Sequence, residues 1–285
     1  MRTSCRKRFI LTRNRFFPLW AIGAGAVFCL FCIAGERAGH AAAQFVPLNQ
    51  EQTSENFAEL SEFERLERRG DIYMARKYYP EAVEAFREII ELQPANAQFY
   101  NKLGIAYHQL MDYGAARKAY QKAVQLDPQY AQAVNNMAAI EYARKKYRSA
   151  ILIYLEALEL SPGDAVIYSN LGTAYFSYKR YEYAVNCYRY ALILDPKIFD
   201  RGGRSGSIVH QRESKNTGAF NFYLGKTHAS LGHVEETLQY LVKAWEEGFA
   251  DLREALEDDV FLFLAEDPRF VELLALVDPD NTAAS

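Results

Sequence analysis

AQFYNKLGIAYHQLMDYGAARKAYQKAVQLDPQY, residues 97–130, reads as two short amphipathic helices closed by a proline, and the same text returns 34 residues later. Pro94, Pro128, Pro162 and Pro196 mark the period. Between them recur Tyr100, Val134 and Tyr168; Leu103, Met137 and Leu171; Gly104, Ala138 and Gly172; Ala116, Ala150 and Ala184; Tyr120, Tyr154 and Tyr188; and Ala123, Ala157 and Ala191. A fixed period of this length marks one supersecondary unit that must stack on its neighbours to bury a core. Within the unit, Tyr100, Leu103, Gly104 and Tyr107 fall at i, i+3, i+4 and i+7, one stripe of a helix. After a break at Met111-Asp112, the residues Ala116, Ala119, Tyr120 and Ala123 repeat that spacing. The small Gly104 and Ala116 are expected to let two antiparallel backbones approach, with the tyrosines filling the remaining space. Asp127-Pro128 ends the second helix, because proline lacks the donor to continue it and pushes its predecessor out of the helical region.

This order of large apolar, Leu-Gly, Tyr, Ala, aromatic, Ala and Pro resembles the tetratricopeptide repeat family. The resemblance implies an all-α chain, a right-handed α-solenoid of antiparallel helix pairs, with four units over 63–198 and a fifth, degenerate unit over 218–247. The first unit has Ile89 where Ala is usual; the third has Ala138 for Gly and Glu141 for Tyr. The fifth keeps Leu224-Gly225 and Ala244 but has His228, Thr237 and Leu241 at other signature places. Residues 248–285 are expected to form capping helices and a tail, with Asp267-Pro268 as a helix start. The Asp267-Pro268-Arg269-Phe270 ending resembles that found after many bacterial arrays of this family. Phe261, Phe263 and Phe270 serve either that cap or a separate docking patch.

Residues 1–43 are different material. Arg2, Arg6, Lys7, Arg8, Arg13 and Arg15 precede an uncharged run from Phe16 to Gly35, and Ala41-Ala42-Ala43 offers a cleavage site before Gln44. This is the plan of a secretory signal peptide, with an uncleaved membrane anchor as the competing reading. Both place the array outside the cytoplasm, because the basic flank stays behind; the expected location is the bacterial periplasm, soluble or held at the inner membrane. Phe precedes both Cys29 and Cys32, which argues against a lipid-modified cysteine. An organelle transit sequence is the minority alternative. Residues 44–62 read as a linker running into an extension of the first helix at Phe57, Leu60 and Phe63.

Charge narrows the partners. Seven of the 33 basic residues and one of the 36 acidic ones lie in 1–43, so the remainder carries 26 basic and 35 acidic residues, a net charge of −9. Such a domain is poorly suited to nucleic acid or an anionic membrane face; membrane contact is expected only through the N-terminal segment. Cys187 is the one cysteine beyond the leader and reads as a packed apolar residue, so no intramolecular disulfide is expected there.

A second stripe runs along the first helix of each pair: Gln98, Asn101, Ile105 and His108; then Gln132, Asn135 and Tyr142; then Ser169, Thr173 and Phe176, with Asn136 and Asn170 on its edge. The resemblance implies that this face lines a concave groove. Amides both donate and accept, so a ladder of them can pair with the backbone of an extended peptide. The family's carboxylate clamp for heat-shock chaperone tails is not reproduced: the corresponding positions are Glu67, Asp71, Lys102, Gln132 and Asn136, or, one unit later, Asn101, Ile105, Asn136, Val166 and Asn170. The Gly/Ser-rich insertion 199–217, with Arg201, Arg204, Arg212 and Lys215, is either a tolerated loop or a second contact surface. Nothing suggests catalysis, a cofactor or a metal; His228 and His233, five apart, fall off a common helical face. The expected function is a non-enzymatic scaffold or adaptor of the cell envelope that binds a partner polypeptide. An accessory subunit handling a small ligand and a purely structural oligomerisation module are the alternatives, and the oligomeric state is left open.

Overall fold

The structure, a computed structural model, describes residues 61–199 and 217–278. Ten helices run in five consecutive pairs: α1 (Glu62–Ala75) with α2 (Tyr79–Leu92), α3 (Ala97–Gln109) with α4 (Tyr113–Leu126), α5 (Ala131–Ala143) with α6 (Tyr147–Leu160), α7 (Ala165–Ser177) with α8 (Tyr181–Leu194), and α9 (Thr217–Ala229) with α10 (Val234–Glu246). A short α11 (Leu252–Ala255), a 3-10 turn (Asp259–Leu264) and α12 (Pro268–Leu276) follow. Each helix packs on its partner and on the next pair, which makes the molecule an all-α solenoid. Among the described residues there is no strand, and no helix is long and apolar enough to cross a membrane. The apolar run 16–35, the helical extension expected from Phe57 through Leu60, and the insertion residues Arg201, Arg204, Arg212 and Lys215 lie outside the described residues. Ser61 caps α1 in a closed capping box with Glu64, which satisfies two of the orphan donors of the first turn.

The same turn is built inside each pair. Lys77, Met111, Lys145 and Lys179 take φ of 59–62°, and Gly232 takes φ 73°. At each, the residue after the left-handed one donates its N–H five residues back: Tyr78 to Tyr73, Asp112 to Tyr107, Lys146 to Glu141, Arg180 to Tyr175 and His233 to His228. This is the Schellman arrangement, which closes orphan carbonyls at a helix end and reverses the chain at the cost of one left-handed residue. It also brings the first and last side chains of that six-residue stretch together.

The core is a column of aromatic rings against small residues. Phe86, Tyr120 and Tyr188 are fully buried, facing Gly70, Gly104 and Gly172 in turn, and Tyr154 is fully buried in the cluster that holds Ala138. A methyl group at Gly104 would meet the Tyr120 ring at 2.4 Å, and one at Gly172 the Tyr188 ring at 2.5 Å. The glycine therefore makes room for a ring, not for the neighbouring backbone as the stripe pattern suggested. Burying Phe86 and Ile89 contributes about 1.5–3 kcal/mol each. Cys187 is buried, and burial pushes its thiol up to about 12, so it stays a protonated packing residue.

The C-terminal elements bury Leu252, Leu256, Phe261, Leu264, Phe270 and Leu273 against α9 and α10. Phe261 and Phe270 are thus core residues of the cap, and Phe263 alone of the three aromatics is exposed. Asp267 accepts from the Arg269 N–H at 2.9 Å, with Pro268 at the first helical position. Arg269 then ties the cap to α10 through Glu235 at 2.7 Å.

Candidate interaction surface

The first helices of successive units lie side by side, and the second stripe of the sequence runs along their junction. Its amides bond to one another. Asn170 Nδ2 donates to Asn135 Oδ1 at 3.0 Å; Asn135 Nδ2 donates to Asn136 Oδ1 at 3.1 Å; Asn136 Nδ2 donates to Asn101 Oδ1 at 2.9 Å; Asn101 Nδ2 donates to the Tyr130 hydroxyl at 3.3 Å. The four amides form one directional chain across α3, α5 and α7. Each is at most 3% exposed. Buried polar groups of this kind cost free energy unless paired, and here the pairing comes from the adjacent unit.

This revises the role expected for the ladder. Capacity assigned to a ligand backbone is in part spent inside the array, because neighbouring first helices approach closely enough for their amides to meet. The flanking positions are engaged in the same way. Tyr142 Oη and Ser177 Oγ lie 3.0 Å apart, Thr173 Oγ1 donates to the Ser169 carbonyl at 3.0 Å, and the Tyr188 hydroxyl donates to Thr173 Oγ1 at 3.3 Å. His108 stacks edge-on against Tyr113 and is held well below its ordinary value, at about 4, by burial, so it is neutral at pH 7. Ile105 packs in the cluster around Tyr120 and Ile140, and Phe176 against Tyr181, Phe220 and Tyr223. Gln98 is exposed and Gln132 half-buried, so these two amides remain at the rim of the face.

Lys102, at one of the clamp positions, is already engaged by carboxylates. Its ammonium bonds Asp71 at 2.8 Å and Glu67 at 3.1 Å from the preceding unit. Burial alone would lower its pKa; the two carboxylates outweigh that and hold it above the ordinary value. A lysine so neutralised is a poor receptor for an incoming carboxylate. Glu141, standing where the pattern asks for Tyr, is buried with Arg117 and Arg144 at 3.6 Å and Lys146 at 3.9 Å.

The sequence reading missed one surface. The second helices of the third and fourth units expose Leu152, Tyr190 and Ile193, where the second unit has Lys118, Lys122 and Gln125. Stepping the period along the outer face, rather than the core stripe, reveals this contrast. Among metal-ligating side chains, His228, His233 and Glu236 come together at the turn between α9 and α10. The helix ends between the two histidines, so the common-face argument does not apply to them.

Residues 70–110 match a family model described as TPR repeat, and residues 97–130 and 165–198 match one described as tetratricopeptide repeat. The chain carries tetratricopeptide repeats. Comparison with curated proteins gave no match. Among solved structures, the array is similar to MamA from Desulfovibrio magneticus RS-1, at 19% identity over 66% of this chain and 96% of that one, with a TM-score of 0.45. It is also similar to PilF of Pseudomonas aeruginosa, at 19% identity over 75% and 88% of the two chains, TM-score 0.49. A third similar structure is the first TPR domain of Spaghetti (RPAP3) bound to the HSP90 peptide SRMEEVD, at 24% identity over 40% and 90%, TM-score 0.38.

Proposed function

We propose that this protein is a non-enzymatic scaffold of a bacterial cell envelope, with its tetratricopeptide array outside the cytoplasm, where it holds an extended segment of a partner polypeptide along the first-helix face. Tetratricopeptide repeats generally mediate protein–protein interactions, and stacked repeats offer extended surfaces for that purpose. The observation that carries the reading is the amide chain from Asn170 to Tyr130, which fixes three first helices as one preorganised surface. Preorganisation lowers the ordering cost of binding a flexible ligand. The rim amides Gln98 and Gln132 then pair with the partner's backbone. The basic flank before Phe16–Gly35 and the Ala41–Ala43 site support export.

Capture of partners from solubilised membranes tests this. Gln98→Arg with Gln132→Arg should abolish capture of a defined polypeptide without changing the melting curve, while Arg204→Ala with Arg212→Ala should leave capture intact. Loss of capture in the loop variant alone would move the binding surface to the insertion. A co-purified small ligand or self-association with no partner polypeptide would overturn the scaffold reading.

A further inference from the structure

The fifth unit departs from the repeat pattern at the place where its turn could hold a metal ion. In the other four units the Schellman turn pairs Tyr73 with Tyr78, Tyr107 with Asp112, Glu141 with Lys146, and Tyr175 with Arg180. In the fifth that pair is His228 and His233. The His233 N–H donates to the His228 carbonyl at 3.1 Å, and the turn residue Gly232 sits at φ 73° with open space around it. The two Nδ1 atoms come to 3.3 Å of each other. Zinc–imidazole bonds of about 2.0–2.1 Å at a tetrahedral angle separate two donor nitrogens by roughly 3.3–3.4 Å, so the pair already spans one edge of that tetrahedron.

Glu236 supplies the third donor. It stands at the third position of α10, three residues after the N-cap His233, where a glutamate can reach back over the cap. Among the described residues, no side-chain hydrogen bond caps this helix. One donor atom each from His228, His233 and Glu236 lies within 4.8 Å of the others. The surroundings hold the His228 imidazole and the turn backbone: His228 is buried and stacks on Tyr240 at 5.3 Å and 16°, and Thr237 Oγ1 donates to the His233 backbone carbonyl at 2.6 Å. His233 and Glu236 are exposed, which gives an ion an entry path and leaves a fourth position open to water or to a donor from a partner.

We infer that the α9–α10 turn is a binding site for a divalent transition-metal ion of the zinc class, ligated by His228 Nδ1, His233 Nδ1 and the Glu236 carboxylate. Two imidazoles and a carboxylate suit zinc better than the all-oxygen sets of magnesium or calcium. The bound ion would tie the last helix pair together beside the C-terminal cap.

The test is calorimetric titration of the metal-stripped full chain with Zn2+ alone. One ion per chain is expected, reversed by a chelator, with Co2+ at the same site giving the visible absorption of tetrahedral coordination. Replacing either exposed ligand, His233→Ala or Glu236→Gln, should weaken Zn2+ binding at least tenfold, the loss that even outer-shell changes commonly produce. Both variants should melt as wild type in the presence of chelator, since neither side chain is buried. Absence of saturable uptake, or an affinity unchanged in either variant, would overturn the inference.

Discussion

Replacing Asn135 by Ala removes the middle link of the amide chain and shows what the chain contributes. Asn135 accepts from Asn170 at 3.0 Å and donates to Asn136 at 3.1 Å, and its side chain is fully buried. Each hydrogen bond is worth about 0.5–1.5 kcal/mol net, so two contribute roughly 1–3 kcal/mol. Alanine recovers up to about 0.7 kcal/mol through its better helix propensity. The expected net loss is about 1.5 kcal/mol, or a fall in melting temperature of roughly 3–6 °C for a domain of this size. Circular dichroism melts and urea titrations measure it. Asn186→Ala is the control: this exposed amide reaches only the Glu182 carbonyl and Arg189 on its own helix, so the change should be within about 0.5 kcal/mol. A double-mutant cycle between Asn101 and Asn136, joined at 2.9 Å across two units, should return a coupling of about 0.5–1.5 kcal/mol. If Asn135→Ala leaves stability unchanged and the cycle shows no coupling, the amides do not hold the units together. They would then face a ligand with their full capacity, and partner capture should fall in that variant instead.

Three further outcomes follow from the packing. Gly104→Ala should destabilise by about 1–2 kcal/mol, because the added methyl meets the immobile Tyr120 ring at 2.4 Å, whereas Gly114→Ala, with only Asp112 Oδ1 nearby at 3.5 Å, should stabilise by about 0.5–1 kcal/mol in the same urea titration. Among the described residues the Tyr154 hydroxyl is buried without a hydrogen-bond partner while that of Tyr188 donates to Thr173, so Tyr154→Phe should be neutral or stabilising and Tyr188→Phe should cost about 0.5–1.5 kcal/mol; equal effects would show the two sites to be equivalent. The cap should loosen in acid: the hydrogen bonds from Arg269 hold the Asp267 and Glu235 carboxyls below their ordinary values, so their contribution is complete above about pH 5 and is lost as pH falls through the lowered folded values. Trp245 lines the 610 Å3 groove between α10 and α12 together with Arg269, so its fluorescence in a Trp20→Phe background should report the loosening, with raised salt shifting it toward higher pH.

The period of 34 residues made the helix pairs legible, because each break, proline and buried tyrosine repeats with it. It also explains what was missed. The stripe Asn101, Asn135, Ser169 was followed at the period itself, along positions that are equivalent in successive units but do not touch. The contacts between first helices fall one residue further along. Asn101 meets Asn136, Asn135 meets Asn170, Tyr142 meets Ser177 and Lys102 meets Glu67, each pair 35 residues apart. Each of these side chains therefore meets the neighbour of its own copy in the next unit. Polar residues that recur at the period plus one are therefore the readable sign of a bonded ladder, and Asn101 with Asn136 was such a sign. The two histidines show a related effect: a spacing of five is off a common face on one continuous helix, while Gly232 breaks that helix between them and their ring nitrogens come to 3.3 Å. In an array of this kind, a residue's partner is set by where the turns fall, and a site read along a single helix loses whatever the turn brings back.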